Sequence, residues 1–269
     1  MNAIGQQEAR VRYQLSGKAA LVTGGTRGIG LTIAEHLAYS GARVTVCGRS
    51  SERGQQAVDR LKRISPDVHF VEADCGQYDD AMRAVSAASG PDGSLNLLCC
   101  AGAQGSSGPT LFHQFRPEEI EPTLTSRLMP KIYPIHAALP NLRVQGGAVL
   151  IVTTDAGRHA TPGESLIGAS GASLIALTKV MAREFSRWNV RVNSVALTLT
   201  SETPSWDRIF SKPSFEKNLF EKALSRFPAG RAPTAEEVAQ VAIFLLASQS
   251  NQVTGQTISV NGGLSFGGW

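Results

Sequence analysis

The chain has 269 residues, of which 42% are hydrophobic and 18% charged, a composition typical of a globular protein with one large α/β domain or two small ones. The net charge is +4 and the basic residues are scattered, which argues against a nucleic-acid partner. The N-terminal segment lacks the apolar stretch of a signal peptide, and no run of 18 apolar residues predicts a membrane span. We therefore expect a cytoplasmic protein.

The spacing of the cysteines also favours a cytoplasmic protein. Cys47, Cys75, Cys99 and Cys100 lie in or just after apolar runs, and none has the Cys-x-x-Cys spacing. This pattern predicts buried free thiols in a reducing compartment, and no metal site is predicted.

Strand-like apolar runs alternate with helical patterns along the whole chain. The strands are predicted at 19–24, 43–48, 68–74, 95–102, 147–154, 190–197 and 256–263. The helices are predicted at about 28–40, 51–64, 77–88, 117–143, 166–188 and 234–248. This alternation, without a break in composition, predicts a single Rossmann-type domain over residues 1–269, an α/β fold whose doubly wound parallel sheet has about seven strands and helices on both faces.

Residues 201–231 interrupt this alternation. The segment is rich in proline and aromatic residues and precedes the last predicted helix. One interpretation is a substrate lid, with Trp206 in the substrate pocket. The other is an ordinary surface subdomain.

The stretch TGGTRGIG, at 23–30, follows the first strand and opens the first helix. Glycines at 24, 28 and 30 permit a tight turn, a close backbone approach to a pyrophosphate and close packing of helix on strand. We predict a dinucleotide site that includes Gly24, Thr26, Arg27, Gly28, Ile29 and Gly30.

Two arginines predict which dinucleotide binds. The second strand ends in Gly48-Arg49, where an NAD enzyme usually has an acid that holds the ribose 2′-hydroxyl. Arg27 can reach the same pocket. Two guanidinium groups without a carboxylate suit a 2′-phosphate, so we expect NADP(H).

Several motifs together resemble the short-chain dehydrogenase/reductase family. These are TGGTRGIG, Asp74 after the third strand, Ala101-Gly102 after the fourth, RVNSV at 191–195 and VTGQTISVNGG at 253–263. The resemblance extends from about residue 15 to 265. It implies a Rossmann-type domain, a hydride-donating cofactor, contact of Asp74 with the adenine, cofactor binding at Ala101 and Gly102, and usually a homotetramer, with a homodimer as the alternative.

At the catalytic positions, however, this sequence differs from the pattern of the family that it resembles. Members of the family use Asn, Ser, Tyr and Lys, with a Tyr-x-x-x-Lys pair on one helix. In this sequence the tyrosine position falls on Ile167, the lysine position on Gly171 and the serine position on Thr154. The asparagine position falls on Arg127 or, with a shift of one residue, Ser126. Neither Ile167 nor Gly171 can transfer a proton.

Other side chains are therefore candidates for the chemistry. Arg127 stays protonated and suits electrostatic stabilisation, together with the Thr154 hydroxyl. Asp155 either stabilises a cationic intermediate or forms a structural ion pair with Arg127. His159 and Glu164 lie on a loop that borders the substrate in the family, although both could be solvated loop residues.

Lys131 and Tyr133 share the predicted helix of Arg127. Two prolines, Pro130 and Pro134, disturb the register of that helix, so the sequence does not place either side chain.

Three functions fit these observations. The first is an NADP(H)-dependent reductase that takes a small molecule with an activated C=C bond, such as an enoyl thioester, or with a C=N bond. The second is a catalytically inactive NADP(H)-binding protein that acts as a sensor or scaffold. The third is a carbonyl reductase with an unconventional proton donor.

Overall fold

All seven predicted strands are present in the computed structural model, which describes residues 11–102 and 108–265. The strands are β1 (Ala19–Thr23), β2 (Arg43–Gly48), β3 (Val68–Glu72), β4 (Leu97–Cys100), β5 (Gly147–Thr154), β6 (Val190–Leu197) and β7 (Thr257–Ser259). They form one sheet in the order β3-β2-β1-β4-β5-β6-β7, and every neighbouring pair is parallel. The predicted α/β sheet is confirmed.

The described part of the chain contains α-helices on both faces of this sheet. They are α1 (Gly28–Tyr39), α2 (Ser51–Lys62), α3 (Tyr78–Ala88), α4 (Pro117–Gln145), α5 (Ser165–Phe185), α6 (Pro204–Phe210), α7 (Phe215–Leu224) and α8 (Ala235–Leu246). One apolar cluster joins α1, α2 and α8 to the sheet, and a second joins α3, α4 and α5. Burial on both faces explains why β1 and β4 are entirely apolar apart from Thr23.

The long helix α4 is continuous through four internal prolines at 122, 130, 134 and 140. A proline lacks the backbone N–H, so each of these positions loses one intrahelical hydrogen bond. Ile135, Ala138 and Leu142 are buried and anchor the helix against α3 and the sheet. This continuity fixes the register of Arg127 and Lys131, which the sequence left open.

Helix α5 and the turn after it, Ser165–Trp188, are long and apolar enough to cross a membrane by length and composition alone, with a mean hydropathy of 1.4. However, Leu174, Ala182 and Phe185 are buried in the same apolar cluster as β5 and β6. The core thus accounts for part of the apolar composition of α5, since 39% of its most apolar 18-residue window is buried.

Residues 201–231 form a small unit of their own that contains α6 and α7. Its buried residues Ile209, Phe220 and Phe227 form an apolar cluster with the flanking Leu199 and Ala232, and Trp206 and Phe210 pack against this cluster. The two rings of Trp206 and Phe210 have centroids 4.5 Å apart. The aromatic residues of this segment therefore stabilise a local fold beside the carboxyl ends of the strands.

Candidate active site

The glycine-rich turn between β1 and α1 requires glycine for steric reasons. Gly24 has a φ of +67°, and a Cβ there would lie 2.5 Å from the Cα of Gly102. A Cβ at Gly30 would lie 2.3 Å from the carbonyl oxygen of Gly24. These contacts bring the start of α1 close to the ends of β1 and β4, and the backbone stays open to a ligand.

An open cleft of about 380 Å³ lies beside this turn, at the carboxyl ends of the strands. The structure places all ten predicted cofactor residues along it: Gly24, Thr26, Arg27, Gly28, Ile29, Gly30, Arg49, Asp74, Ala101 and Gly102. Arg53 also lines the cleft, and the sequence analysis missed it. Its position at the start of α2, one turn after Arg49, is a signal that could have found it. Asp74 is the single acidic residue among those that line the cleft.

A second cavity, of about 190 Å³, lies between α4, α5 and the end of β5. Its lining includes Arg127, Thr154 and Ile167, so the structure brings these three predicted residues together. The cavity shares Ala101 and Val152 with the cofactor cleft, so the two spaces are adjacent. Ser126, the alternative to Arg127 in the sequence analysis, is not among the lining residues.

Lys131 also lines this cavity, and the sequence analysis could not place it. It is buried, and its Nζ donates a hydrogen bond of 2.7 Å to the carbonyl oxygen of Gly102. Burial lowers its pKa to about 8, and the nearby charge of Arg127 acts in the same direction. Residues four apart share one face of a helix, so the spacing from Arg127 is the signal that would have found it once α4 was taken as continuous.

Tyr133 does not line the cavity. Its ring packs edge-on against Tyr78 of α3, with centroids 5.6 Å apart. Among the described residues that line the cavity there is no tyrosine and no acid.

The environment of Arg127 includes two glutamates. Burial lowers the pKa of Arg127, while Glu164 and Glu216 oppose that shift. Glu164 immediately precedes α5, and burial raises its pKa to about 7 against the attraction of Arg127. Glu216, on α7, forms two hydrogen bonds with Arg208, of 2.6 and 2.7 Å. The residues 201–231 thus extend the charge network of the second cavity.

Asp155, which the sequence predicts either as a catalytic residue or as an ion-pair partner of Arg127, pairs with Arg158 instead of Arg127. Asp155 is buried and is not among the residues that line the cavity. Its Oδ1 accepts hydrogen bonds from Arg158 at 3.1 Å and the Ser259 hydroxyl at 2.6 Å. Its Oδ2 accepts from the Asn261 amide at 2.9 Å and the Thr198 hydroxyl at 3.3 Å. The carboxylate ties β5 to β6 and the C-terminal segment, and its ion-pair partner is Arg158.

The predicted substrate-pocket residues lie in three places: the cofactor cleft, the second cavity and the loop outside both. Trp206 lines the cofactor cleft, and Ile167 lines the second cavity. His159 and Glu164 line neither. The backbone N–H of His159 donates to the carbonyl oxygen of Asp155 at 3.0 Å, which places it in the turn after β5.

Gly171 allows α5 to pack closely on the end of β5. A Cβ at this position would lie 2.7 Å from the Cγ2 methyl of Thr154 and 3.1 Å from the backbone nitrogen of Gly157. The Thr154 hydroxyl accepts a hydrogen bond of 3.2 Å from the backbone of Ala156. The methyl of Thr154 therefore occupies the space that a side chain at residue 171 would need.

The parallel sheet, the glycine turn and the adjacent cleft define a dinucleotide-binding protein of the Rossmann type. Residues 24–265 match the family model described as Enoyl-(Acyl carrier protein) reductase. The chain belongs to the short-chain dehydrogenase/reductase family of oxidoreductases, as its motifs predict.

Relatives of similar length support this assignment. A tropinone reductase homolog from Arabidopsis thaliana is 32% identical over 97% of both chains. The 3-oxoacyl-(acyl-carrier-protein) reductase FabG from Chlamydia muridarum is 30% identical over 93% of this chain and 98% of its own. Among solved structures, a short-chain oxidoreductase from Pseudomonas aeruginosa, described as NADPH-bound and as containing an atypical catalytic center, superposes with a TM-score of 0.86 and 28% identity over 95% of this chain and 100% of its own.

Proposed function

We propose that this protein is an NADP(H)-dependent reductase with a non-standard active site, and that it reduces an activated C=C bond, such as that of an enoyl thioester, or a C=N bond. One observation carries the proposal: among the described residues, the cavity beside the cofactor cleft is lined by two cations and three hydroxyls, with no tyrosine and no acid. Such a site suits the stabilisation of negative charge better than the delivery of a proton.

The cleft fits the cofactor. Gly24 and Gly30 have no room for a Cβ, so the chain can turn tightly there and present the N-terminus of α1 to the cleft, where it would face a pyrophosphate. Arg27 and Arg49 line the end of the cleft beside β2, where Gly48 stands in place of an acid. Their guanidinium groups suit a ribose 2′-phosphate. The NADPH-bound relative from Pseudomonas aeruginosa gives further support.

When bound, NADPH supplies a hydride. Hydride addition to a conjugated C=C bond moves negative charge onto the oxygen of the activating carbonyl group. Arg127 and the Thr154 hydroxyl would hold that oxygen. Protonation of carbon could then follow from solvent or, through solvent, from the loop residue Glu164, whose pKa of about 7 lets it carry a proton near neutral pH.

A C=N acceptor needs even less of a proton donor. An iminium already carries its positive charge before the hydride arrives, so no acid is required at that step. By contrast, a simple ketone must be protonated on oxygen, and a missing general acid costs typically about 10²- to 10⁴-fold in rate. The residues Ile167 and Gly171 cannot supply that acid.

Carbonyl reduction with an unconventional donor is the second candidate. The names of two relatives, the tropinone reductase homolog and the 3-oxoacyl-(acyl-carrier-protein) reductase, favour it. Lys131 or Glu164 would then have to supply the proton that tyrosine supplies in the family.

The segment 201–231 is proposed to act as a lid on the cofactor cleft. Pro204, Trp206 and Ile209 line that cleft, and Thr203 and Pro204 are the neighbours that a Cβ on Gly28 would meet. The family resemblance also supports a homo-oligomer, either a tetramer or a dimer.

The test begins with cofactor binding. Purified protein is titrated with NADPH and with NADH, and cofactor fluorescence is followed. NADPH oxidation is then measured against enoyl-CoA thioesters, cyclic imines and simple ketones. Tight binding of NADPH with turnover of the first two classes supports the proposal. Turnover of ketones alone favours the second candidate, and tight binding without turnover of any class favours an inactive sensor or scaffold.

A further inference from the structure

We propose that the cavity between α4 and α5 is a carboxylate site, in which Arg127 and Lys131 bind an acidic group of the substrate. As a statement about the substrate, this inference rests on the proposed reductase function. It narrows the acceptor to a small molecule that carries a carboxylate beside its C=C or C=N bond.

The first argument is the chemistry of Lys131. An ammonium group has three donors, and the Gly102 carbonyl oxygen takes one of them at 2.7 Å. In the described part of the chain, residues 11–102 and 108–265, Lys131 forms no salt bridge with an acid. Its thiol neighbours are Cys99 and Cys100, and burial raises the pKa of both, that of Cys99 to about 12, so neither is an anion at neutral pH. Buried charges in proteins are ordinarily paired, and here an anionic ligand would complete the pair.

The second argument is the position of Arg127. It lies four residues before Lys131 on α4, and both side chains line the same cavity. A guanidinium presents a planar fork of donors that matches a carboxylate, and an ammonium beside it adds a point charge. Glu216, which also acts on Arg127, is held by two hydrogen bonds from Arg208. Glu164 also attracts Arg127, so Arg127 already has acidic neighbours, and Lys131 is the cation of this pair that forms no salt bridge within residues 11–102 and 108–265.

The third argument is the remainder of the lining. Val152, Ile167 and Leu174 give the cavity an apolar wall. The Ser170 hydroxyl donates a hydrogen bond of 2.8 Å to the carbonyl oxygen of Leu166. A volume of about 190 Å³ with two cations at one side and apolar side chains at the other suits a short unsaturated or imino acid.

The pH dependence of binding follows from the groups that surround Lys131. These are Cys99 and Cys100 on β4 and Arg127 on α4, and Arg127 in turn interacts with Glu164 before α5 and Glu216 on α7. The pKa of Lys131 is about 8, so its charge is largely lost by pH 9. A bound carboxylate should raise that pKa, and carboxylate affinity should fall as the pH rises from 7 to 9.

The experiment compares two probes of nearly the same shape, crotonate and crotonamide. Each is titrated by calorimetry into the wild-type protein saturated with NADP⁺, which carries no hydride to transfer. We expect crotonate to bind at least about tenfold more tightly than crotonamide, the ratio expected for charge-assisted hydrogen bonds. K131M and R127M should each lose most of that preference. K179M, which removes an exposed lysine of α5, is the matched control and should keep it.

Two outcomes would overturn the carboxylate site: equal affinity of the wild-type protein for the two probes, or a crotonate affinity that does not change between pH 7 and pH 9. Both use the wild-type protein and therefore decide the question even where a variant does not fold. If NADP⁺ itself does not bind, the proposed reductase function fails. The same pair of probes titrated into the cofactor-free protein then decides the carboxylate site separately.

Discussion

Arg49 is exposed at the end of β2 and lines the cofactor cleft next to Gly48. In an NADP(H) site its guanidinium would contact the 2′-phosphate, a group that NAD(H) lacks. The cofactor preference of this protein should therefore depend in large part on the charge of Arg49, with Arg27 as the second contribution.

We expect Arg49→Asp to weaken NADPH binding by at least about tenfold and to leave NADH binding equal or stronger, because a carboxylate repels the phosphate and accepts from the ribose 2′-hydroxyl. Fluorescence titration with both cofactors measures the change. Arg63→Asp makes the same charge change at an exposed position outside the cleft and should leave both affinities unaltered. Equal losses in the two variants would mean that the protein responds to net charge alone.

The carboxylate of Asp155 joins three parts of the chain through four hydrogen bonds. Asp155→Asn should lower the free energy of unfolding by about 3–5 kcal/mol, because it leaves the charge of the largely buried Arg158 without its partner. Urea denaturation measures this loss, with Glu121→Gln on the exposed surface of α4 as the control. If Asp155→Asn kept its stability and lost only activity, the result would support the catalytic role that the sequence predicted for Asp155.

The ionisation of Glu164 should make the free energy of unfolding depend on pH. Its pKa is raised from 4.5 to about 7, so the unfolded chain releases this proton at lower pH than the folded protein does. Below pH 4.5 the residue is protonated in both states and costs nothing. As the pH rises from 4.5 to 7 the folded state loses stability relative to the unfolded state, and above pH 7 the loss is complete.

Glu164→Gln removes that penalty. The variant should match the wild-type free energy of unfolding near pH 4.5 and exceed it by about 1–3 kcal/mol at pH 8. Denaturation curves at the two pH values measure the difference. The same difference at both pH values would show that Glu164 ionises at its ordinary pKa.

At the scale of elements, α5 and the end of β5 are packed closely because Gly171 has no side chain. Gly171→Ala should destabilise the protein by about 1–3 kcal/mol, although alanine favours a helix, because its Cβ meets the Thr154 methyl at 2.7 Å. In the background of Thr154→Ser, which removes that methyl, the cost of Gly171→Ala should be smaller. Thermal denaturation of the four proteins in this double-mutant cycle measures the coupling.

Additive effects of Thr154→Ser and Gly171→Ala would contradict this account. They would indicate that the backbone of Gly157, which lies 3.1 Å from the same Cβ position, is the contact that limits α5. Gly93→Ala in the turn before β4 gives a contrast of a different kind, because nothing there lies within 4 Å of a Cβ. Gly93 has a φ of +77°, so its substitution reports the cost of backbone strain without a clash.

The sequence predicted every strand and the six large helices, because strands buried on both faces are continuous apolar runs and amphipathic helices repeat every 3.6 residues. Strand β7 is shorter than predicted: it ends at Ser259, and Gly262 and Gly263 lie in a turn at positive φ. The helices α6 and α7 were missed because their apolar residues pack on each other and on a local core, which weakens the pattern of one buried face.

The candidate site was predictable to the extent that it depends on backbone motifs. The glycine turn places its residues by steric requirement alone, so all ten predicted cofactor residues line one cleft. Lys131 could not be placed, since prolines on both sides made the register of α4 uncertain. The partners of Asp155 are more than 40 residues away, except Arg158, and no local pattern reveals such contacts.

At the scale of the whole molecule, the segment 201–231 is the part most directly placed to respond to a ligand. Binding of NADPH should slow amide hydrogen exchange in α6, which holds Trp206 and Ile209 against the cleft, because the ligand fixes the wall that these residues form. Exchange in α3, whose residues do not line either cavity, should stay unchanged. Mass spectrometry of the exchanged peptides measures both, and equal slowing in the two helices would indicate general stabilisation instead of lid closure.

One glycine, Gly102, lines the cofactor cleft and is hydrogen-bonded to Lys131, which lines the second cavity. Its backbone lies against Gly24 of the cofactor turn, and its carbonyl oxygen accepts the hydrogen bond from Lys131. A ligand that shifts either neighbour therefore acts on the same peptide unit. Thermodynamic reciprocity then requires that if cofactor binding changes the affinity of the cavity for an anion, the anion changes the affinity for cofactor by the same factor. The coupling between the two ligands would thus pass through a single backbone position.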